Sequence, residues 1–218
     1  MVDFLKPVVK EKGSNLSVEE RNLLSVAFKN LVGSRRTAWR TISAIEQNPK
    51  YAHFAEAIGG YKKRIEEELF QSCEDIVTNV EQNILAGAAD GEAKAFFMKM
   101  IGDYYRYIAE SAQGDKLKEV SEKALSNYNQ ATEVAATLGP CNPIRLGLAL
   151  NFSVFHYEVM NDSKKACELA ESALKEAQAK ASEVDEETFR DARSILELLQ
   201  ENLSLWNEGD DKKDVEDL

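Results

Sequence analysis

The sequence has few of the residues that interrupt helices, with only 4 prolines and 11 glycines among its 218 residues. Ala, Leu, Glu and Lys dominate instead, and 44% of the residues are hydrophobic, which is enough to bury a sizeable core. Because helix breakers are rare and strong helix formers are common, the composition predicts an all-α fold.

Cysteine is also scarce, and the 3 cysteines (Cys73, Cys141 and Cys167) are widely spaced, with no CxxC pair. This spacing indicates neither a disulfide framework nor a zinc site, so we expect no metal or cofactor and a reducing cytosolic or nuclear location. No apolar run approaches the length of a membrane span, and the N-terminus has no signal-peptide hydrophobic region.

Basic residues are outnumbered, since 27 Lys and Arg against 38 Asp and Glu give a formal net charge of −11. Nucleic acids and anionic membranes are bound through basic surfaces, so we expect neither as the main partner. The sequence also has no P-loop, HExxH or G-x-S-x-G motif. His53 is expected to be an exposed loop residue and His156 a packed helix residue, so an enzyme is disfavoured.

Apolar residues recur at helical spacing along most of the chain. Ser17 and Glu20 are spaced as a capping box at the start of the first long helix, which should run to Ile45. Six more helices are predicted near residues 52–85, 92–112, 115–137, 143–160, 163–181 and 185–206. Short turns join them, which favours antiparallel neighbours in one domain over residues 1–206. The charged tail 207–218 is predicted to be disordered.

Three basic residues lie on one predicted helix near the start of this acidic chain. Lys29 and Arg36 are separated by two helical turns, so they lie on one helix face, and Arg40 follows one turn later. Two cations stacked in this way can close on a doubly charged anion such as a phosphate ester. Because the whole protein repels anions, a specific pocket fits better than a general polyanion surface.

Two later segments also carry polar groups in helical settings. Asp103 and Glu110 are placed at i−3 and i+4 from Arg106, where they can brace its guanidinium, and the neighbouring Tyr107 can add a neutral donor. Asn151 lies in an apolar helix. Its side-chain amide either forms hydrogen bonds within the fold or binds the main chain of a ligand. Taken alone, a few charges on a helix are usually a solvated face.

Four stretches resemble the signature regions of the 14-3-3 family of phosphoserine- and phosphothreonine-dependent adaptors. They run from Arg21 to Gln47, Gly102 to Glu110, Pro143 to Glu158 and Asn202 to Trp206. The resemblance extends from about residue 1 to Trp206, and it implies a concave groove of about seven long antiparallel helices. It also implies non-catalytic binding of phosphorylated client proteins. The alternative is a helical scaffold for unphosphorylated segments, which the absence of a 34-residue repeat disfavours.

The resemblance also assigns roles to individual residues. The phosphate pocket would consist of Lys29, Arg36, Arg106 and Tyr107. Asn151 and Asn202 would clamp the peptide backbone. The groove would be lined by Lys99, Val26, Gly147, Leu150, Val154, Ile195, Leu198, Leu205 and Trp206. Supporting charges would be Asp103, Glu110, Arg40 and Glu158.

The beginning of the chain departs from the family pattern. Met1 to Lys6 resembles the middle of the family's second helix, so we expect the first helix and half of the second to be missing. Family members are homo- or heterodimers that depend on those helices. Tyr61, Arg64 and Glu68 correspond to the receiving surface, without the charges that Arg64 and Glu68 would pair with. The expectation is therefore a monomer or a weakened dimer.

Overall fold

A computed structural model describes residues 1–87 and 91–216, and this part of the chain contains eight α-helices and no strand. The helices are α1 (Val2–Lys12), α2 (Val18–Glu46), α3 (Ala55–Asn83), α4 (Gly91–Ala109), α5 (Gly114–Ala135), α6 (Pro143–Glu158), α7 (Ser163–Lys180) and α8 (Glu186–Glu216). The all-α prediction is confirmed. The short α1 is additional to the seven predicted helices. None of the described helices combines the length and hydropathy needed to cross a membrane.

Helix α2, which carries Lys29 and Arg36, begins at the predicted N-cap. The Ser17 hydroxyl accepts a hydrogen bond from the Glu20 backbone N–H at 3.3 Å, and the Glu20 carboxylate accepts one from the Ser17 N–H at 2.9 Å. These two bonds satisfy backbone donors that a helix start leaves without intrahelical partners. The capping-box prediction is therefore confirmed.

The last helix does not end where the sequence pattern ends. We predicted a stop near 206 and a disordered tail, whereas α8 runs as helix to Glu216. The tail contains no proline. Gly209 and the Asp residues are weak helix formers, but the Glu and Lys residues are strong ones, so the helix is not forced to stop. Residues 217 and 218 lie outside the described residues.

Contacts divide the chain into two compact units. Unit 1 comprises Met1–Ala89 and Asp103–Ala124, and unit 2 comprises Asp90–Gly102 and Leu125–Leu218. The boundaries after Gly102 and Ala124 fall inside α4 and α5. Because these boundaries are not loops, a single domain over residues 1–206 stays a prediction.

The core of unit 1 forms where α2 packs on α3. Leu24, Phe28 and Val32 are buried on α2 at spacings of three to four residues, as expected of one apolar helix face. Cys73 on α3 is also fully buried. In the same unit, the ring of Phe28 meets that of Tyr104 edge to face. This packing fixes the direction in which the opposite face of α2 points.

The core of unit 2 is built from α6, α7 and α8, which pack on one another. Much of α7's contribution is alanine, which lets helix backbones approach closely. The buried cluster contains Cys141, Leu146, Ala166, Ala170, Leu174, Ala177, Ala192, Leu199 and Trp206. Asn142 caps α6 by accepting hydrogen bonds from the N–H groups of Ile144 and Arg145 at 2.9 and 3.3 Å. Pro143 follows at the first helical position, where its missing N–H costs nothing.

Candidate functional site

The predicted phosphate-binding residues all lie in unit 1, on two helices. Lys29 and Arg36 project from α2, and Arg106 and Tyr107 belong to α4. Lys29 is exposed and makes no ion pair with any residue that the structure describes. The side chain of Arg36 is 21% exposed and that of Arg106 only 9%, so the two guanidinium groups are largely shielded from water.

Glu110, which directly follows α4, holds the arginines. Its carboxylate accepts hydrogen bonds from Nε of Arg36 at 3.0 Å and from Nη2 of Arg36 at 2.5 Å. It accepts a third from Nη2 of Arg40 at 3.3 Å and lies 3.7 Å from Nη1 of Arg106. Since the Glu110 side chain is only 12% exposed, water screens these ion pairs weakly. One carboxylate therefore orients three guanidinium groups.

Tyr107 adds an aromatic surface to the same cluster. The Arg36 guanidinium carbon lies 3.9 Å from the centre of the Tyr107 ring, and that of Arg106 lies 4.9 Å away. These are cation–π distances. Burial, together with the nearby carboxylate of Asp103, raises the pKa of Tyr107, so its hydroxyl stays neutral at physiological pH. It can therefore donate a hydrogen bond to an anion.

The structure brings Arg36, Arg40 and Arg106 together on Glu110, an arrangement that helical spacing predicted only in part. The i, i+4 contact of Arg106 with Glu110 was predicted, but it is the longest of the Glu110 ion pairs. The two-pronged bond from Arg36 to Glu110 was missed, because helical spacing reports only on neighbours within one helix. Asp103, predicted as the second brace, is buried with 7% exposure and raises the pKa of Tyr107.

The predicted peptide-clamp and groove residues of unit 2 lie on α4, α6 and α8. Leu198 and Leu205 on α8 are exposed, at 47% and 65%. Six others are half-buried: Lys99, Gly147, Leu150, Asn151, Val154 and Ile195. Asn202 is also half-buried, and Glu158 is exposed. The remaining groove residue, Val26, lies on α2 in unit 1 and is 49% exposed.

Trp206 differs from the other residues predicted to line the groove. It is only 6% exposed and belongs to the core of unit 2, where its ring stacks on that of Tyr157 with centroids 4.9 Å apart. Its neighbour Leu205 is exposed. Trp206 therefore supports the surface of α8 from beneath.

The residues predicted to receive a second protomer lie on α3. Tyr61 is 57% exposed, and the Arg64 side chain is 74% exposed. Arg64 donates a hydrogen bond to Glu68 at 3.2 Å, one helical turn away, and Nε of Arg35 lies 3.8 Å from the same carboxylate. The charges that we expected to lack partners thus pair with each other. A dimer at this surface stays a prediction.

No described residues form a cluster of His, Cys, Asp and Glu suited to a metal ion. The described part of unit 1 instead gathers cations and a neutral phenol, which is the chemistry of an anion site.

Comparison with known proteins gives a consistent result. A family model described as 14-3-3 protein matches residues 1–207. The chain is similar to 14-3-3 protein 2 of Entamoeba histolytica, with 51% identity over 217 residues that cover 97% of this chain and 91% of the relative. It is also similar to checkpoint signal transducer rad24 of Schizosaccharomyces pombe and to protein BMH2 of Saccharomyces cerevisiae. Each is 46% identical, and each alignment covers 94% of this chain and 77% of the relative.

Proposed function

The chain belongs to the 14-3-3 family of non-catalytic regulatory adaptors, and we propose that it recognises phosphoserine or phosphothreonine in its client proteins. The observation that supports this proposal most strongly is the cluster in unit 1. There Arg36 and Arg106 share the Glu110 carboxylate and both approach the ring of Tyr107. Side chains held in this way lose little entropy when a ligand arrives.

The proposed recognition requires no chemical step. Two guanidinium groups, the Lys29 ammonium and the Tyr107 hydroxyl would replace the water around a phosphate with charge-assisted hydrogen bonds. An unphosphorylated hydroxyl would bring no charge to a site that holds desolvated cations, so its binding would not repay the desolvation. Phosphorylation of the client would thereby switch binding on.

The residues of unit 2 would contribute contacts that do not depend on phosphate. Amide side chains can both donate to and accept from a peptide backbone, which suits Asn151 and Asn202 to hold an extended segment. Leu198 and Leu205 are exposed apolar side chains that could contact apolar side chains of a bound segment. We infer that phosphate sets selectivity and that these contacts add affinity.

The test is fluorescence anisotropy with a labelled Arg-Ser-x-phosphoSer-x-Pro peptide and its unphosphorylated twin. We expect binding of the phosphopeptide only, and Arg36→Glu should weaken it at least about a hundredfold, because a reversed charge would face the phosphate. The matched control is Arg190→Glu, which makes the same charge change on α8 at a side chain that is 74% exposed. Equal affinity for the two peptides would overturn the proposal in favour of a scaffold for unphosphorylated segments.

A further inference from the structure

Unit 2 contains a cavity of about 160 Å³ between α5, α6 and α7, and all the residues that line it belong to this unit. Its inner wall is apolar, and the most exposed of these wall residues is only 5% exposed. They are Ala135, Leu146, Leu148 and Phe152. Glu176 also lines the cavity and is exposed, so one end of the cavity reaches the surface.

The cavity lies on the side of α6 that points away from the residues predicted to line the groove. Successive residues of an α-helix are turned by roughly 100° about its axis. Ala149 and Phe152 therefore point to one side of α6, where they line the cavity, and Leu150 and Val154 point to nearly the opposite side. A molecule in the cavity would not occupy the space that the groove residues offer to a peptide.

The polar side chains around the cavity are engaged in hydrogen bonds within the protein. Nη2 of Arg145 donates to one oxygen of Glu176 at 2.6 Å, and Nη1 of Arg145 donates to a backbone carbonyl at 2.6 Å. The Ser172 hydroxyl donates to the other Glu176 oxygen at 2.9 Å, and the Thr132 hydroxyl donates to a backbone carbonyl at 2.8 Å. An apolar ligand would leave these bonds intact, whereas a charged ligand would have to compete with them.

Water is held weakly in surroundings of this kind. A buried water molecule needs two to four polar partners, and the side chains of the inner wall provide none. Displacement of such water by an apolar group favours binding. Engineered apolar cavities of about 150 Å³, lined by Leu, Ile and Phe, bind benzene. The size and lining of the cavity in unit 2 therefore fit one aromatic ring.

We propose that this cavity is a binding site for a small, neutral molecule with a single aromatic ring. A side chain of a partner protein fits less well. Among the described residues, no large apolar side chain that is exposed lies on α5, α6 or α7, so the mouth of the cavity lacks the apolar surface that protein partners use. The site is independent of the proposed phosphate recognition, which involves unit 1.

The test is a titration of the ¹⁵N-labelled chain with benzene or with pyrazine, a polar ring of the same size, followed by NMR of the backbone amides. Benzene should cause saturable shifts that are largest at cavity residues such as Leu148 and Ala173. Burial of one ring corresponds to a dissociation constant of about 1 mM. Pyrazine should bind at least about tenfold more weakly, because its nitrogens would lose water without gaining partners.

Substitution of a cavity residue tests the location directly. Ala173 is a half-buried residue of the cavity wall on α7, and Ala173→Leu should fill the cavity and weaken benzene binding at least about tenfold. The matched control is Ala179→Leu, the same change on α7 at an exposed position that does not line the cavity, and it should leave the affinity unchanged. A folded Ala173→Leu variant that binds benzene as the wild type does overturns the proposal.

The wild-type chain alone can also overturn it, so the test does not depend on the folding of a variant. Three results would do so: no saturable shift at the solubility limit of benzene, equal affinity for pyrazine, or shifts centred on the exposed Leu198 and Leu205 of α8. Addition of the phosphopeptide should leave the benzene affinity unchanged. If the chain binds no phosphopeptide, the proposed function fails, and the benzene titration still decides whether the cavity is a binding site.

Discussion

Unit 1 holds its predicted binding side chains by charge, whereas unit 2 holds its predicted binding surface by packing. In unit 1, Arg36 and Arg106 are oriented by ion pairs to Glu110, which directly follows a helix. In unit 2, Leu198 and Leu205 are exposed on α8, one position before the buried Leu199 and Trp206. A charged site needs an internal counter-ion to keep its direction, while an apolar surface needs only a rigid helix beneath it.

The largest expected effect on stability comes from removing Trp206, the buried side chain that packs under the exposed face of α8. Trp206→Ala should lower the free energy of unfolding by about 3–5 kcal/mol, because it leaves a cavity in the core of unit 2 and removes the stack on Tyr157. Leu205→Ala, at the adjacent exposed position, should change it by no more than about 0.5 kcal/mol. Urea unfolding measures both, and similar costs at the two positions would contradict the assignment of Trp206 to the core.

A double-mutant cycle measures how strongly the arginines of unit 1 couple to Glu110. The coupling free energy between Arg36 and Glu110 should be about 1–3 kcal/mol, because both side chains are shielded and joined by two hydrogen bonds. The coupling between Arg40 and Glu110 should stay below about 0.5 kcal/mol, since the Arg40 side chain is 61% exposed. Unfolding free energies of the single and double alanine variants give both values. Equal couplings would mean that shielding from water does not decide the strength of these pairs.

The smallest effect comes from a titratable group placed in apolar surroundings. His156 is 8% exposed, its ring packs on those of Phe152 and Phe155, and burial lowers its pKa; nearby Asp162 raises that pKa and Lys165 lowers it. The unfolded chain binds this proton more readily, with a pKa of about 6.5. Stability should therefore be complete above that pH and fall as the pH drops from there through the lower pKa of the folded state.

Substitution of each histidine isolates this contribution. His156→Phe should flatten the fall in unfolding free energy between neutral and mildly acidic pH, measured by urea unfolding. His53→Gln removes the other histidine, which is exposed, and should leave the fall unchanged. A pH dependence that persists in His156→Phe would assign the effect to carboxylates instead.

Helix boundaries could be predicted from sequence where a capping side chain or a proline marks them. Ser17, Glu20 and Pro143 mark helix ends by groups that can be recognised without a structure. The end of α8 could not be predicted, because a charged segment without proline can continue a helix or leave it. The short α1 contains Pro7 and was not counted among the predicted helices.

Helical spacing predicted contacts of the site within one helix, and only the family resemblance grouped residues of different helices. The spacing of Arg106 and Glu110 identified one ion pair, but nothing in the sequence shows that Arg36 shares the same carboxylate. On α8, Leu198 and Leu205 are seven residues apart, as are Leu199 and Trp206. Both pairs are apolar and form adjacent stripes, so only the packing of α6 and α7 decides which stripe is buried.

Each unit contains a buried cysteine whose reactivity can report local unfolding of that unit. Cys73 in unit 1 and Cys141 in unit 2 are both buried, while Cys167 is half-buried. Burial raises the pKa of Cys73 to about 12 and also raises the pKa of Cys141, so neither thiol reacts readily in the closed state. The rate at which a thiol reagent labels each sulfur would therefore report how often that unit opens. Labelling rates of Cys73 and Cys141 would thus measure the opening of unit 1 and of unit 2 separately, without an introduced cysteine.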